Sequence, residues 1–234
     1  VRTRGMSTIS YLVRRNTKLF FKDKGMFFTS MVTPLILILL FVTFIGNVYR
    51  DAFTSVIPTG MVVPESLTEG FVGGFLFSSL LAVCCVTVSF CANLLMVQDK
   101  VTGARKDLTI TPVKPWILSM SYYLSTVIVT AIISYIALGI CFAYLAVVGW
   151  YLTITDVLLV ITDVALLVLF GTALSSVICF FLSTQGQISA VSTIISATYG
   201  FLCGAYMPLS QFSEGLRNML GFLPGTYGTV LLHN

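Results

Sequence analysis

A chain of 234 residues that is 57% hydrophobic and 9% charged, with a net charge of +4 and a mean hydropathy of +0.98, has too little polar surface to coat a water-soluble globule. That excludes an ordinary soluble enzyme and leaves a lipid bilayer as the solvent; no nucleic-acid partner is expected. Apolar runs of about 20 residues or more recur, each enough for a helix to cross a hydrocarbon core of about 30 Å, and the period-two alternation of a membrane β-barrel is not what they show. The expected fold class is all-α: a polytopic integral membrane helical bundle.

Residues 1–25 carry Arg2, Arg4, Arg14, Arg15, Lys18, Lys22 and Lys24, with Ile9, Leu12, Val13, Leu19 and Phe20 at roughly helical spacing among them. This segment is either a solvated topogenic tail or, as the helical spacing favours, an interfacial helix that prefers an anionic leaflet. The apolar run that follows is longer than the core of a signal peptide and has no small-residue cleavage site. A first span is expected over 26–48, with Pro34 tolerated as a kink. After a linker with Arg50, Asp51, Pro58, Pro64, Glu65 and Glu69, a second span covers 70–97 and opens on Gly70 and Gly74, a spacing that lets membrane helices approach closely.

Beyond the polar island 98–115, the third run, 116–148, is longer than one crossing needs. Trp116, Tyr122 and Tyr123 at one end and Trp150 and Tyr151 at the other read as interfacial anchors. A fourth span, 156–182, and a fifth, 188–207, flank the turn Ser183 to Gln187, and Gly200 and Gly204 repeat the small-residue spacing. Residues 208–234 mix glycine and proline with apolar residues, as an outer re-entrant segment would. Five crossings and an end at Leu231 to Asn234 without terminal character lead us to expect a sixth span beyond this chain.

Of the 13 cations, only Arg50 and Arg217 lie outside the N-terminal segment and the island. By the positive-inside tendency both basic segments are cytoplasmic, which two intervening crossings allow. The six cysteines, Cys84, Cys85, Cys91, Cys141, Cys179 and Cys203, sit inside apolar runs with no C-x-x-C spacing and read as packing residues.

No phosphate-binding loop or dinucleotide fingerprint occurs, and the one histidine is His233, so neither a catalytic nor a metal site is expected. Asp163 is the carboxylate deepest in an apolar run; with Asp156, Thr155 and Thr162 it forms a polar stripe that either reaches water or serves a substrate path or proton coupling. Tyr199 and Tyr206 are further candidates for the path. In the island, Val101, Ala104 and Leu108 give a short helix starting at Asp99 one apolar edge, beside Lys100, Arg105 and Lys106, and Thr111 and Pro112 stop it.

Asp99, Gly103, Leu108 and the Thr111–Pro112 pair resemble the cytoplasmic coupling segment of ABC-2 type transporter permeases, although glutamate is usual where Asp99 stands. Gly204 to Pro208 and Pro224 to Tyr227 are similar to that family's two outer motifs. The resemblance implies the membrane-spanning subunit of an exporter in the cell membrane. Two permease subunits, alike or different, would form the path, and a separate cytoplasmic ATPase carrying ATP and Mg would dock under Asp99, Lys100, Val101, Gly103, Ala104, Arg105, Lys106, Leu108 and Pro112. No cofactor is expected on this chain itself. The rivals are an ion- or proton-coupled secondary transporter using Asp163 and a membrane scaffold without transport.

Overall fold

The computed structural model describes residues 2–40, 43, 65–111, 113–148 and 153–202. These form helices, and no strand occurs among them. The helices are α1 (Arg2–Lys22), α2 (Lys24–Leu40), α3 (Glu65–Val101), α4 (Ala104–Ile110), α5 (Pro115–Val148), α6 (Ile154–Phe181) and α7 (Gln185–Leu202). The end of the first expected span, residues 44–64, the re-entrant segment 208–234, Pro112, Cys203, Gly204 and Tyr206 lie outside the described residues.

Each boundary has a local cause. Between α1 and α2 the Asp23 Oδ1 accepts the Met26 N–H at 3.1 Å, as an N-cap does. Pro34, inside α2, has no N–H to give the Ser30 carbonyl, and the Ser30 hydroxyl bonds the Phe27 carbonyl at 2.7 Å. At the start of α6 the Asp156 carboxylate accepts the Thr153 N–H at 2.8 Å. Thr184 and Gln187 cap α7 reciprocally: Gln187 Oε1 accepts the Thr184 N–H at 3.2 Å, and the Thr184 hydroxyl accepts the Gln187 N–H at 3.3 Å.

Three described helices have the length and apolarity to cross a membrane, at Leu80–Val101, Pro115–Ala146 and Ile154–Phe181. The share of the span that is buried falls from 89% in α3 to 44% in α5 and 28% in α6, so α3 is the central post. It packs against α2, α5, α6 and α7. Its 37 residues would reach about 55 Å, more than a bilayer core requires, because α3 starts at Glu65 in the expected linker and runs on to Val101 in the expected island.

Paired residues fix the directions. Cys85 meets Ser134, Asn93 meets Thr126 and Asp99 meets Tyr122, so α3 and α5 are antiparallel. Ser89 meets Gly171, Asn93 meets Ser175 and Lys100 meets Phe180, so α3 and α6 are parallel. The end of α3, the start of α5, the end of α6 and the start of α7 therefore share one end of the bundle, which also carries the island's charges. Phe20 of α1 joins a buried cluster with Val88, Ala92, Val129 and Ile133, while Arg15 reaches Asp99. Helix α1 thus runs alongside α5 from the charged end toward the apolar spans.

Candidate functional site: the charged end of α3

The sequence leads one to expect a single amphipathic turn from Asp99 to Leu108, and the structure corrects this. Helix α3 continues through Asp99 and Lys100, and the Thr102 N–H still bonds the Gln98 carbonyl at 2.9 Å. The chain then breaks at Gly103, whose φ of +83° is left-handed, a region that costs other L-residues about 1–2 kcal/mol. Helix α4 starts afresh, with the Lys106 N–H on the Gly103 carbonyl at 2.8 Å, and ends as expected before Thr111, which is extended at ψ 153°. None of its residues is buried. Val101 is exposed, Ala104, Arg105 and Leu108 are half-buried and Lys106 is exposed, so α4 stands out from the bundle on a glycine joint.

Asp99 and Lys100 face inward instead, and each ties α3 to other helices. The Asp99 carboxylate is buried, and its Oδ2 accepts from Arg15 of α1 at 3.0 Å and from the Tyr122 hydroxyl of α5 at 2.6 Å. Burial works most strongly against the Arg15 charge, but the bond to Asp99, its negative charge and the neighbouring Tyr122 together outweigh it and raise the guanidinium pKa. Arg15 also donates to Asn16 Oδ1 at 2.8 Å, while the buried Asn16 Nδ2 has no partner. Tyr122, expected as an interfacial anchor, is therefore a buried hydrogen-bond donor; Trp116 is 59% exposed.

The Lys100 ammonium donates to the carbonyls of Cys179 at 3.2 Å, Phe180 at 3.0 Å and Leu182 at 3.0 Å, and sits 5.8 Å from the Phe180 ring centroid. The last carbonyls of α6 have no partner within their own helix, and a cation there also complements the helix dipole. Two consecutive side chains at the end of the central helix thus hold α1, α5 and α6.

A second polar tie lies deeper. Asn93 Nδ2 donates to the hydroxyls of Ser175 at 2.6 Å and Ser176 at 3.3 Å, and its Oδ1 accepts from Thr126 at 3.2 Å, joining α3, α5 and α6. One turn away along α6, Gly171 brings that helix against the α3 backbone. A Cβ there would lie 3.1 Å from the Cys85 carbonyl oxygen and 3.3 Å from Val86 Cα.

The remaining candidates are spread through the bundle. Gly70 and Gly74 lie in the first half of α3, and Gly200 is buried in α7. Asp163 is 9% exposed in α6, and its buried Oδ2 has no hydrogen-bond partner. Its expected stripe mates serve their own helix, Asp156 at the N-terminus and Thr162 on the Leu158 carbonyl at 2.8 Å. Tyr199 is buried in α7. Cys84, Cys85, Cys91, Cys141 and Cys179 are buried free thiols. Sequence reasoning missed Arg15, Asn93 and Gly171; only Asn93, a strong polar group in an apolar run, carried a local signal.

A family model described as ABC-2 type transporter matches residues 7–233. No curated protein and no solved structure matches the chain.

Proposed function

Because the chain belongs to the ABC-2 type transporter family, a family of membrane transport domains without catalysis of their own, we propose that it is the permease subunit of an ATP-driven exporter. In this reading two permease subunits enclose the path, and a separate cytoplasmic ATPase, carrying ATP and Mg, docks on α4. The N-terminus and α4 are cytoplasmic, as the crowding of cations at that end of the bundle supports.

One observation carries the proposal: α4 is exposed and hinged, yet the residues just before its hinge grip three helices. A displacement of α4 passes through Gly103 to the end of α3. From there Asp99 delivers it to α1 and α5, and Lys100 delivers it to α6. A helix this close to the surface suits docking in a groove, with Leu108 as its apolar anchor and Arg105 and Lys106 setting register.

The test is transport and substrate-stimulated ATP hydrolysis by the reconstituted complex. Leu108→Ala should lower both several-fold through loss of the anchor. Proline at Ala104 would occupy the first helical position, where it is tolerated, so the helix-breaking variant is Asp107→Pro, which removes the Asp107 N–H bond to the Gly103 carbonyl. It should uncouple hydrolysis from transport, while Lys114→Ala, an exposed charge outside α4, should change neither. Transport surviving in both α4 variants would remove the coupling role.

The buried, unpartnered carboxylate of Asp163 favours one second reading, an ion- or proton-coupled secondary transporter. The same vesicles separate the two, since only that reading predicts transport driven by an ion gradient with no ATPase present.

A further inference from the structure

Helix α1 sets Arg15 apart from its other cations. Arg15 turns inward to Asp99, and its neighbours on that side, Asn16 and Phe20, are buried. Arg14, Lys18 and Lys22 are exposed, with Tyr11 and Phe21 exposed beside them. A spacing of four residues puts these three cations in one row, about 6 Å apart along the helix.

Among the described residues no carboxylate pairs with that row. Helix α1 contains no acidic residue, Asp23 just beyond it caps α2, and among the described residues the only ion pair is Arg15 with Asp99. Like charges four residues apart repel, so the row stabilises the helix only when an external anion lies against it.

The position of α1 says which anion. Arg15 sits level with Asp99 and Tyr122 at the charged end, and Phe20 packs in the cluster that includes Ala92 and Val129 of the apolar spans. Over these residues α1 crosses the zone between charged loops and hydrocarbon, where lipid phosphates lie. Long cationic side chains that lay their stems on apolar surface, with aromatic rings beside them, match a headgroup layer better than bulk water.

We propose that Arg14, Lys18 and Lys22 bind the phosphates of anionic lipids in the leaflet at the charged end, and that this holds α1 against α5 so that Arg15 meets Asp99. Leaflet charge then regulates the junction between α1 and the end of α3. The inference needs the membrane placement of the chain but not an ATPase partner, so its test is made without one.

The full chain, with its native cysteines replaced, is spin-labelled at Ser10 on α1 and Met120 on α5, both exposed, and inserted into nanodiscs of phosphatidylcholine alone or mixed with phosphatidylglycerol. In the mixed discs one narrow distance population is expected. In phosphatidylcholine alone, the ratio of docked to undocked α1 should fall by about tenfold, because each cation loses its anionic surface. High salt should act in the same direction. The triple variant Arg14→Gln, Lys18→Gln, Lys22→Gln should show the broad distribution in both lipids, whereas Lys114→Gln should behave as the parent. The same narrow distribution for the parent in both lipids would overturn the proposal, and that comparison decides it even if the triple variant fails to insert. Lipid dependence retained by the triple variant would overturn the assignment to these cations.

Discussion

Gly171→Val should be among the most damaging single substitutions in the bundle, lowering stability by about 1–3 kcal/mol through overpacking. The atoms a side chain would meet at 171 are the carbonyl of Cys85 and the Cα of Val86, which move only if α3 itself moves. Separating the two helices also breaks the Ser89 hydroxyl bond to the Gly171 carbonyl at 2.9 Å and strains the Asn93–Ser175 bond one turn further along. Because α3 touches most of the other helices, the loss spreads to its other neighbours. The measurement is denaturant unfolding of the purified protein in detergent, with Gly139→Val as the control. A side chain at Gly139 on α5 meets nothing within 4 Å, so that variant should unfold like the parent. Equal effects at the two glycines would mean that α3 and α6 are not in backbone contact.

Asp99→Ala should cost about 2–3 kcal/mol, because it leaves the Arg15 guanidinium and the Tyr122 hydroxyl without their shared acceptor. The effect should be asymmetric. The Arg15 side chain is 34% exposed and reaches water when its partner changes, whereas the Asp99 side chain is 8% exposed. Arg15→Gln should therefore cost at least as much, since it leaves the buried carboxylate without a countercharge and with only the Tyr122 hydroxyl bond. A double-mutant cycle in the same unfolding assay reads the pairwise coupling directly. If Arg15→Gln proves far milder than Asp99→Ala, the buried carboxylate does not depend on its ion pair with Arg15. On the proposed coupling route from α4 to α1 and α5, which runs through this oxygen, both variants should uncouple hydrolysis from transport.

The helices were legible because apolar run length is a local property, and so was the stop before Thr111, which proline chemistry imposes from one residue away. The family resemblance, carried by Asp99, Gly103, Leu108 and the Thr111–Pro112 pair, agrees with the family match over residues 7–233. What the sequence hid is non-local. Asp99 and Lys100 sit in a polar island and read as the charged flank of a docking helix, since the partners that bury them, Arg15 and the carbonyls after residue 178, lie about 80 residues away along the chain. Tyr122 reads as an interface anchor because an aromatic near a span end usually is one, and only the antiparallel register of α3 and α5 turns its hydroxyl onto Asp99. Gly171 stands in a looser glycine-to-serine spacing, Gly171 to Ser175, so the glycine pairs pointed to Gly70, Gly74 and Gly200 while the close approach of α3 and α6 was made elsewhere. The helix edge drawn from Val101 through Leu108 failed because a left-handed glycine resets the helical phase at residue 103.

We propose α4 as the docking element for an ATPase, with the island on the cytoplasmic side. Site-specific photo-crosslinking tests it most directly: a benzophenone side chain at the exposed Lys106 of α4, and as a control at the exposed Leu158 of α6, in the complex purified with its nucleotide-hydrolysing activity. A crosslink is expected from position 106 to a subunit identified by its own phosphate-binding-loop peptide, and none from position 158. A complex that hydrolyses ATP while position 106 never crosslinks to the hydrolysing subunit would contradict it.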